Sequence, residues 1–500
     1  MTRWRHGRLL LFLIAFIPLA GAEPPVVYLR FSDAITLDPG KAEEFYSQEV
    51  IFNVFENLVR LRPEGMEAEP CLAERWQMRE NGRRWVFTLR RGVKFHNGEA
   101  FNARAVVYSF QRRIARRTGE YASFGRIFPY IEDVRALDEW TVEFLLSRPH
   151  SQFLLALVDQ RACIVAPGAM DDPSFKPVGT GPFVLSEWVR GRSIVLDRFA
   201  GYWQPPVGLA RIIFRYEPNT ALRLTQIKNH SADINFIRSA KEYEELIGRK
   251  DVAIISEPKL STQYLGFNCR RPPFSSLPAR KAFFHLLNKE ILVKRIFQNF
   301  AVPAAGMLPP RMPGYDAGIG RDDFNPGKAR QLLAQAGWRS GFSVSLYLPE
   351  GQFGLEDLAW MIIANARLVG VTVKAVTLPL GAMLQAVRNG EPDLFTLGWG
   401  YTADPGIFMN PLFLFSSGGS RSIMTASPEF TRLLVQAEET EDPQRRNGIY
   451  SAAQRRLQED MPLIPLFYLN HVLACSRRLR NLRLNPFGFI LFKEVSVAAE

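Results

Sequence analysis

The sequence is poor in the residues and motifs from which most catalytic and metal sites are built. Only six histidines and four cysteines occur in 500 residues, and they are scattered. The chain lacks the H-E-x-x-H and C-x-x-C motifs of zinc sites and the G-x-S-x-G motif of many hydrolases. The glycine-rich segment Val178–Phe183 lacks the third glycine of a dinucleotide-binding loop. We therefore predict no catalytic residue, no metal site and no cofactor. An exported enzyme that uses an unrecognised site is the alternative.

Long apolar runs are absent after residue 22, since no later run approaches the roughly 20 residues that span a bilayer as a helix. Residues 1–22 combine an arginine-rich start, the apolar segment Leu9–Ile17 and the small residues A-G-A before Glu23. This is the pattern of a signal peptide cleaved after Ala22. Glu23 is not a cysteine, so we predict no lipid attachment there. We expect an exported, periplasmic protein, with an uncleaved membrane anchor as the alternative.

The chain carries a formal net charge of +12 but no nucleic-acid recognition motif. Its densest basic run comprises Arg112, Arg113, Arg116 and Arg117, on a predicted helix after Asn102. Such a run most often forms a solvated helix face. We therefore predict no nucleic-acid partner and expect these arginines at the surface.

Cysteine pairing is left open by the sequence. In an oxidising compartment the four cysteines could form two disulfides, with three possible connectivities. The residues concerned are Cys71, Cys163, Cys269 and Cys475.

Hydrophobic periodicity predicts an α/β fold in the C-terminal half. Alternating apolar residues indicate a strand, and Asn325-Pro326 and Gly337 are start and stop signals of the helix before it. Strands and helices then alternate, which predicts a largely parallel sheet covered by helices. The predicted elements are a strand over 342–348, a helix over 358–368, a strand over 371–378, a short helix near 383–387 and a strand over 393–397.

The last of these strands runs into "GWGYTADPG", which contains two aromatic residues and one acid. Ligands of open α/β sheets bind beyond the carboxyl ends of the strands. We therefore predict that this stretch faces a ligand, with the glycines allowing close approach of the backbone. The alternative is a plain turn, because Asp-Pro-Gly is turn chemistry on its own.

Six stretches, in order, resemble one family: the extracellular solute-binding proteins of family 5, which serve ABC importers for peptides, nickel and related solutes. Examples are "ITLDPGKAEEFYSQEV" near the start and "DLFTLGWGYTADP" near the end. The resemblance covers nearly the whole chain after the signal segment. The stretches span residues 35–59, 72–110, 178–203, 265–283, 324–338 and 393–405.

The resemblance implies a two-lobed fold of the periplasmic-binding-protein type II kind, with an extra third region and a ligand cleft between the lobes. Two crossings, near Leu265 and Leu469, are expected to form a hinge that closes on the ligand. The implied regions are lobe I (23–55, 178–262 and 470–500), an accessory region packed on lobe I (56–177) and lobe II (263–469).

The function implied is that of a monomeric solute-binding subunit that captures a peptide or peptide-sized solute and delivers it to a membrane permease. Peptide binders of the family carry an aspartate three residues after the strand-end tryptophan, but that position here is Thr402. A non-peptide solute, such as a metal chelate, haem or an opine-like compound, is therefore the alternative. The cleft-facing residues expected by position are Glu44, Phe45, Tyr46, Trp399, Tyr401, Thr402 and Asp404.

The family's topology also bears on two further expectations. It places Cys71 and Cys163 in one region and the other two cysteines just past the crossings, which favours the disulfides Cys71–Cys163 and Cys269–Cys475. Asp404 supplies the only negative charge of its loop. We therefore expect it to favour a cationic group on the solute.

Overall fold

The computed structural model describes residues 23–62, 65–169, 176–319, 324–350, 352, 354–400, 402–413 and 423–498. The predicted signal segment 1–22 and the predicted site residue Tyr401 lie outside the described residues. None of the helices in these ranges combines the length and the apolar character needed to cross a bilayer.

The strands of the described ranges are, in chain order, β1 (Val26–Arg30), β2 (Val59–Leu61), β3 (Ala68–Pro70), β4 (Ala73–Arg79), β5 (Arg84–Leu89), β6 (Ile131–Asp138), β7 (Thr141–Leu146), β8 (Phe183–Val189), β9 (Ser193–Arg198), β10 (Arg211–Tyr216), β11 (Ile234–Phe236), β12 (Val252–Pro258), β13 (Ser261–Phe267), β14 (Ala301–Pro303), β15 (Ser343–Pro349), β16 (Thr372–Leu378), β17 (Leu394–Gly400), β18 (Leu463–Ser476), β19 (Leu479–Arg480) and β20 (Ser496–Val497).

The α-helices are α1 (Phe45–Val54), α2 (Ala103–Ile114), α3 (Ala122–Ile127), α4 (Phe153–Ala156), α5 (Thr220–Lys228), α6 (Ala240–Leu246), α7 (Leu277–Phe284), α8 (Lys289–Leu292), α9 (Pro326–Gln335), α10 (Leu355–Arg367), α11 (Leu380–Asn389), α12 (Pro405–Phe413), α13 (Pro428–Glu439) and α14 (Pro443–Asp460). This mixture of helices with a large mixed sheet confirms the predicted α/β class.

One large sheet organises the chain, in the strand order β16-β15-β17-β13-β18-β11-β1-β10-β9-β8. The long strand β18 joins its two halves. The start of β18 pairs with β13 and β14, whereas its end pairs with β11 and β12. We call the strands around the end of β18 the first half-sheet (β1 and β8–β12) and those around its start the second half-sheet (β13–β17).

The chain passes between the half-sheets at two neighbouring places. One crossing is Lys259–Leu260, between β12 and β13, and the other lies at Leu469–Asn470 within β18. A backbone hydrogen bond from the Lys259 N–H to the Leu469 carbonyl, 2.9 Å long, ties the two crossings together. The two half-sheets are therefore linked through two adjacent backbone segments.

Burial on both faces explains the apolar sequence of the central strands. In β1, Val26 and Tyr28 pack with α1 on one face, and Val27 and Leu29 pack with α5 and α6 on the other. All five residues of β1 are buried. In the second half-sheet, β15 packs its alternating apolar residues against α10.

The β-α-β-α-β succession predicted from periodicity is confirmed, because β15 pairs in parallel with both β16 and β17. The signals for α9 also hold. The Asn325 side chain caps the helix by accepting a hydrogen bond from the Lys328 N–H at 2.9 Å. Gly337 follows the helix with φ +86°, a conformation that glycine adopts without strain.

A second, four-stranded antiparallel sheet of order β4-β5-β7-β6 lies within the predicted accessory region. Its core, which includes Phe87, Phe110 and Phe144, is continuous with the apolar side chains of α12, α13 and α14. These three helices lie in the predicted lobe II. The accessory sheet therefore shares packed surface with that part of the chain.

The basic run after Asn102 is only partly the solvated face that was predicted, because Arg116 is exposed while Arg112 and Arg113 face the core. Arg113 is fully buried, and its guanidinium donates to the carbonyls of Arg161 and Cys163 at 2.7 and 2.8 Å. Arg112 lies 3.6 Å from Asp38 with a side chain only 8% exposed. The arginines of the run that face the core thus bind backbone and acid groups from distant segments, which the local charge pattern does not reveal.

Candidate functional site

The predicted site stretch begins where β17 reaches the first crossing. Gly400, its last residue, pairs with Ser261 of β13. A Cβ atom at Gly400 would lie 2.5 Å from the Leu260 carbonyl oxygen, so no larger residue fits without displacing β13. The glycine is therefore required for packing between neighbouring strands.

Trp399 is half-buried beside this contact. Its indole N–H donates to the Phe408 carbonyl of α12, and its ring packs against the large apolar core. The indole thus holds the end of β17 against the next helix. Its partly exposed ring surface is what remains for contact with a solute.

Asp404 is fully buried and caps α12. Its Oδ1 accepts the backbone N–H groups of Gly406 and Ile407 at 2.7 and 3.2 Å, and its Oδ2 lies 2.8 Å from Nε2 of His150. The Thr402 hydroxyl accepts the Asp404 N–H at 3.3 Å and is itself buried. These contacts favour the turn-and-cap alternative over a charge that faces the solute.

The contact with His150 belongs to a larger buried network, the His150–Asp404 junction, which also includes Glu438, Arg148 and Tyr130. Glu438 lies 2.9 Å from the Arg148 guanidinium and accepts a hydrogen bond from Asn410. The rings of Tyr130 and His150 lie 4.5 Å apart. Burial raises the pKa of Glu438, against the opposing charges of His150 and Arg148. The junction joins the predicted accessory region to the predicted lobe II.

At the N-terminus of α1, Glu44 has a structural role. Its carboxylate accepts the N–H groups of Tyr46 and Ser47 at 2.6 and 2.9 Å, so it occupies the positive end of the helix itself. Phe45 and Tyr46 follow it and are half-buried. The Phe45 ring lies 4.6 Å from the ring of His471.

Phe45 and Tyr46 stand beside a group that sequence reasoning missed. The hinge cluster consists of the cations Arg238 and Lys259 together with Phe31, Tyr46, Phe236 and His471. The strands β11 and β12 both run antiparallel to β18, and β1 runs parallel to β11. The carboxyl ends of all three therefore lie at the same end of the sheet. Phe31, Arg238 and Lys259 each follow one of these strand ends.

Within the hinge cluster the cations lie against aromatic rings. The Arg238 guanidinium is 4.1 Å from the centre of the Phe31 ring, and the Lys259 ammonium is 5.5 Å from that of Phe236. Burial, with the nearby charge of Arg238, lowers the pKa of Lys259 to about 8. His471 is fully buried, and burial and the Lys259 charge hold its pKa well below the usual value.

The four cysteines are free, buried thiols in the structure, which therefore contains neither of the two expected disulfides. Cys269 follows β13, which pairs with the start of β18 at Leu463, whereas Cys475 lies near the other end of β18. The strand between Leu463 and Cys475 spans roughly 40 Å at about 3.3 Å per residue. Disulfide-bonded residues have Cα atoms within about 7 Å.

The other two expected partners, Cys71 and Cys163, lie in neighbouring cores, near enough that Cys71 and Glu56 are among the groups that raise the pKa of Cys163, after burial itself. The Cys71 thiol donates to Glu56 at 3.9 Å, in the core of the accessory sheet. Cys163 packs in the core of the first half-sheet. Burial raises the pKa of Cys71 to about 12, so this thiol is protonated at neutral pH.

Together, the half-sheets, the paired crossings and the strand ends that face them define a two-lobed α/β protein of the solute-binding class. The family model of the bacterial extracellular solute-binding proteins, family 5 (middle region), matches residues 67–420. The chain belongs to this family, as the resemblance predicted.

Three similar proteins illustrate the relationship. The dipeptide-binding protein of Escherichia coli is 27% identical over 89% of this chain and 89% of its own length. The glutathione-binding protein GsiB of Shigella boydii is 28% identical over 96% of this chain and 95% of its own. The crystal structure of a dipeptide-binding protein from Pseudoalteromonas sp. in complex with Met-Leu has a TM-score of 0.81 and 26% identity, and covers 95% of this chain and all of that one.

Proposed function

We propose that this protein is the periplasmic solute-binding subunit of an ABC importer, that it captures a peptide or peptide-sized solute, and that it delivers the solute to a membrane permease. The observation that carries the proposal is the family match together with the two adjacent crossings at Lys259–Leu260 and Leu469–Asn470. Similar proteins that bind dipeptides and glutathione support a peptide-sized solute. The proposal includes removal of residues 1–22 on export.

The mechanism proposed is capture by hinge closure. Lobe I (23–55, 178–262 and 470–500), with the accessory region (56–177), would move against lobe II (263–469), and rotation at the two crossings would close a cleft. Ligand would shift an existing balance between open and closed forms. Phe45, Tyr46 and Trp399 are the proposed contacts, because each has a partly exposed aromatic ring near the crossings. In this mechanism the protein binds a single solute as a monomer and performs no chemistry on it.

A non-peptide solute is the second candidate. It is favoured by Thr402, which stands where the family's peptide binders are expected to carry an aspartate, and by the burial of both Thr402 and Asp404. Neither residue offers a free carboxylate to a peptide amine in this geometry. The two candidates share the same fold and the same cleft.

The test is to identify what the protein binds. Mass spectrometry of solute released from protein purified from a periplasmic extract distinguishes peptides from other compounds. A thermal-shift screen of peptides and small solutes then follows, and a ligand at a hundred times its dissociation constant should stabilise the native state by about 2.7 kcal/mol. Small-angle scattering should show compaction with each hit. A protein that binds no solute, or binds one without compaction, contradicts the proposed mechanism.

A further inference from the structure

The hinge cluster contains two cations that have no acidic partner in the described part of the chain. Arg238 and Lys259 contact aromatic rings, and no carboxylate of a described residue lies within ion-pair distance of either. Both side chains are half-buried. The two are close enough for the charge of Arg238 to lower the pKa of Lys259. Two like charges that are partly withdrawn from water and lie at the same end of the sheet repel each other unless an anion joins them.

The acids nearest to them along the chain are already engaged. Glu242 lies 2.7 Å from the Arg223 guanidinium and accepts the Arg238 backbone N–H at 3.0 Å. Glu257 lies 2.9 Å from the guanidinium of Arg311. These acids therefore pair with neighbouring arginines, and no carboxylate among the described residues is left for the charged groups of Arg238 and Lys259.

The backbone holds both cations in place. The Lys259 N–H is bonded to Leu469, and the Arg238 N–H is bonded to the side chain of Glu242. Around their charged groups stand the rings of Phe31, Tyr46 and Phe236, and Phe31 is 39% exposed. A fixed pair of cations beside flat apolar surfaces suits an anionic group attached to an apolar body.

His471 is the buried residue beneath the rings of the hinge cluster. It is fully buried, and neither of its ring nitrogens has a hydrogen-bond partner among the described residues. It packs between the rings of Phe45 and Phe236, at 4.6 and 4.5 Å. The N-terminus of α1 is not part of the anion site, because Glu44 already occupies it.

We infer that the hinge cluster is the subsite for a carboxylate of the solute, which pairs with Lys259 and Arg238 while its apolar part lies against Phe31, Tyr46 and Phe236. The inference rests on the proposed function and names the class of solute: a small acid, whether a peptide with a free C-terminus or a non-peptide carboxylate. It differs from the expectation, drawn from Asp404, that the site favours a cationic group on the solute.

The test compares a carboxylate with its neutral counterpart. Calorimetry measures the binding of Met-Leu, Met-Leu amide, glutathione and citrate to the wild type, Lys259→Met, Arg238→Met and the double variant. Methionine keeps an apolar stem while it removes the charge. Lys241→Met is the matched control, since Lys241 is an exposed cation on α6. Thermal melting confirms that each variant is folded.

Each single variant, Lys259→Met or Arg238→Met, loses one charged hydrogen bond to the carboxylate. The dissociation constant of the acid should therefore rise at least about tenfold. Met-Leu should bind the wild type at least about tenfold more tightly than its amide, and the double variant should abolish that difference. Lys241→Met should behave as the wild type. Citrate that binds in a Lys259-dependent way, with Met-Leu inactive, identifies the carboxylate as that of a non-peptide acid.

An acid-to-amide ratio that is the same in the wild type and the double variant overturns the inference, because the carboxylate then binds elsewhere. Binding of only neutral or cationic members of the solute library overturns it too, and in both cases the proposed solute-binding function stands. A library in which no solute binds contradicts the proposed function, and this inference with it.

Discussion

In one region of the molecule the charged groups are largely buried and paired with one another, and in another two cations have no carboxylate of a described residue within ion-pair distance. In the His150–Asp404 junction, every carboxylate contacts a cation or a backbone N–H, and Asp404 has no exposed surface. In the hinge cluster, the charged groups of Lys259 and Arg238 lie against aromatic rings, no carboxylate in the described part of the chain reaches them, and both side chains are half-buried. The paired region suits a structural role, and the unpaired region suits a ligand.

The difference follows from what burial does to charge. Removing one member of a buried ion pair leaves the other charge uncompensated, so a closed network resists change and makes a poor binding site. A partly buried cation without an acidic partner raises the free energy of the unliganded protein. A bound anion removes this cost, so such cations favour binding of an anionic solute. The single acid of the site loop is therefore a misleading guide to ligand charge, because the protein itself neutralises it.

The largest expected effect tests the structural side of this comparison. Asp404→Ala removes the cap of α12 and leaves His150 buried without its partner, so the free energy of unfolding should fall by about 3–5 kcal/mol. Affinity for Met-Leu should change less than about twofold. Urea unfolding and calorimetry on the same protein measure both quantities.

Asp404→Asn is the matched control for that variant. It keeps an oxygen that accepts the Gly406 N–H and replaces the charged oxygen that faces His150 with an amide NH2, so the cap remains and the loss of stability should be smaller. The opposite pattern, in which Asp404→Ala keeps wild-type stability and loses affinity for the solute, would assign the acid to the binding site.

A second variant tests whether the hinge cluster depends on the close packing of Gly400 against Leu260. Gly400→Ala places a Cβ atom 2.5 Å from the Leu260 carbonyl, next to the first crossing. Overpacking of this kind costs about 1–3 kcal/mol, and the displaced β13 should also shift Lys259. Stability and Met-Leu affinity should fall together. Gly448→Ala is the control, because a Cβ at Gly448 meets no atom within 4 Å. Loss of stability with unchanged affinity would show that the hinge cluster does not depend on this contact.

The pH dependence of binding tests the cluster more finely. Lys259 has a pKa lowered to about 8, so it is charged below pH 8 and neutral above it in the free protein. A bound carboxylate favours the charged form, so affinity should fall as pH rises from 8 to 10, by at most about tenfold per pH unit. The facing histidine and tyrosine do not titrate in this window, since burial holds the pKa of His471 well below it and raises the pKa of Tyr46.

Lys259→Arg is the control for the pH experiment, because arginine keeps its charge throughout. Titration of the peptide's own amine affects both proteins equally, so the difference between their profiles belongs to Lys259. Identical profiles for the two proteins would place Lys259 outside the binding site.

The sequence predicted those parts of the fold that local signals govern. The alternation of β15–α10–β16–α11–β17 and the cap at Asn325 depend on residues a few positions apart, and the structure reproduces them. The family was also predictable, because its stretches recur in order along the chain. What these signals do not contain is which distant side chain meets which.

The site shows this limit residue by residue. Asp404 meets His150, 254 positions away, so nothing near Asp404 indicates that its charge is already paired. Arg238 and Lys259 follow different strands, and only the pairing of both strands with β18 brings them to one edge. A signal for the cluster did exist, since Lys259 directly follows β12 and Arg238 lies two residues past the end of β11. Its meaning depends on strand order, which the sequence does not state.

The smallest expected effect is the response of the two regions to salt, and it separates them without any substitution in the cluster. Screening acts over about 10 Å at 0.1 M salt and about 3 Å at 1 M, and it acts more weakly on buried charges. Affinity for Met-Leu should therefore fall between 0.05 and 0.5 M NaCl, by about twofold to fivefold, the size expected of a partly exposed ion pair. The stability difference between the wild type and Asp404→Ala should stay constant over the same range, because water and ions do not reach that pair. Potassium fluoride as a second salt excludes specific binding of chloride. The opposite result would be a Met-Leu affinity that does not change with salt and a stability difference between the wild type and Asp404→Ala that becomes smaller. The solvent-exposed charges would then belong to the junction, and the roles assigned to the two regions would be reversed.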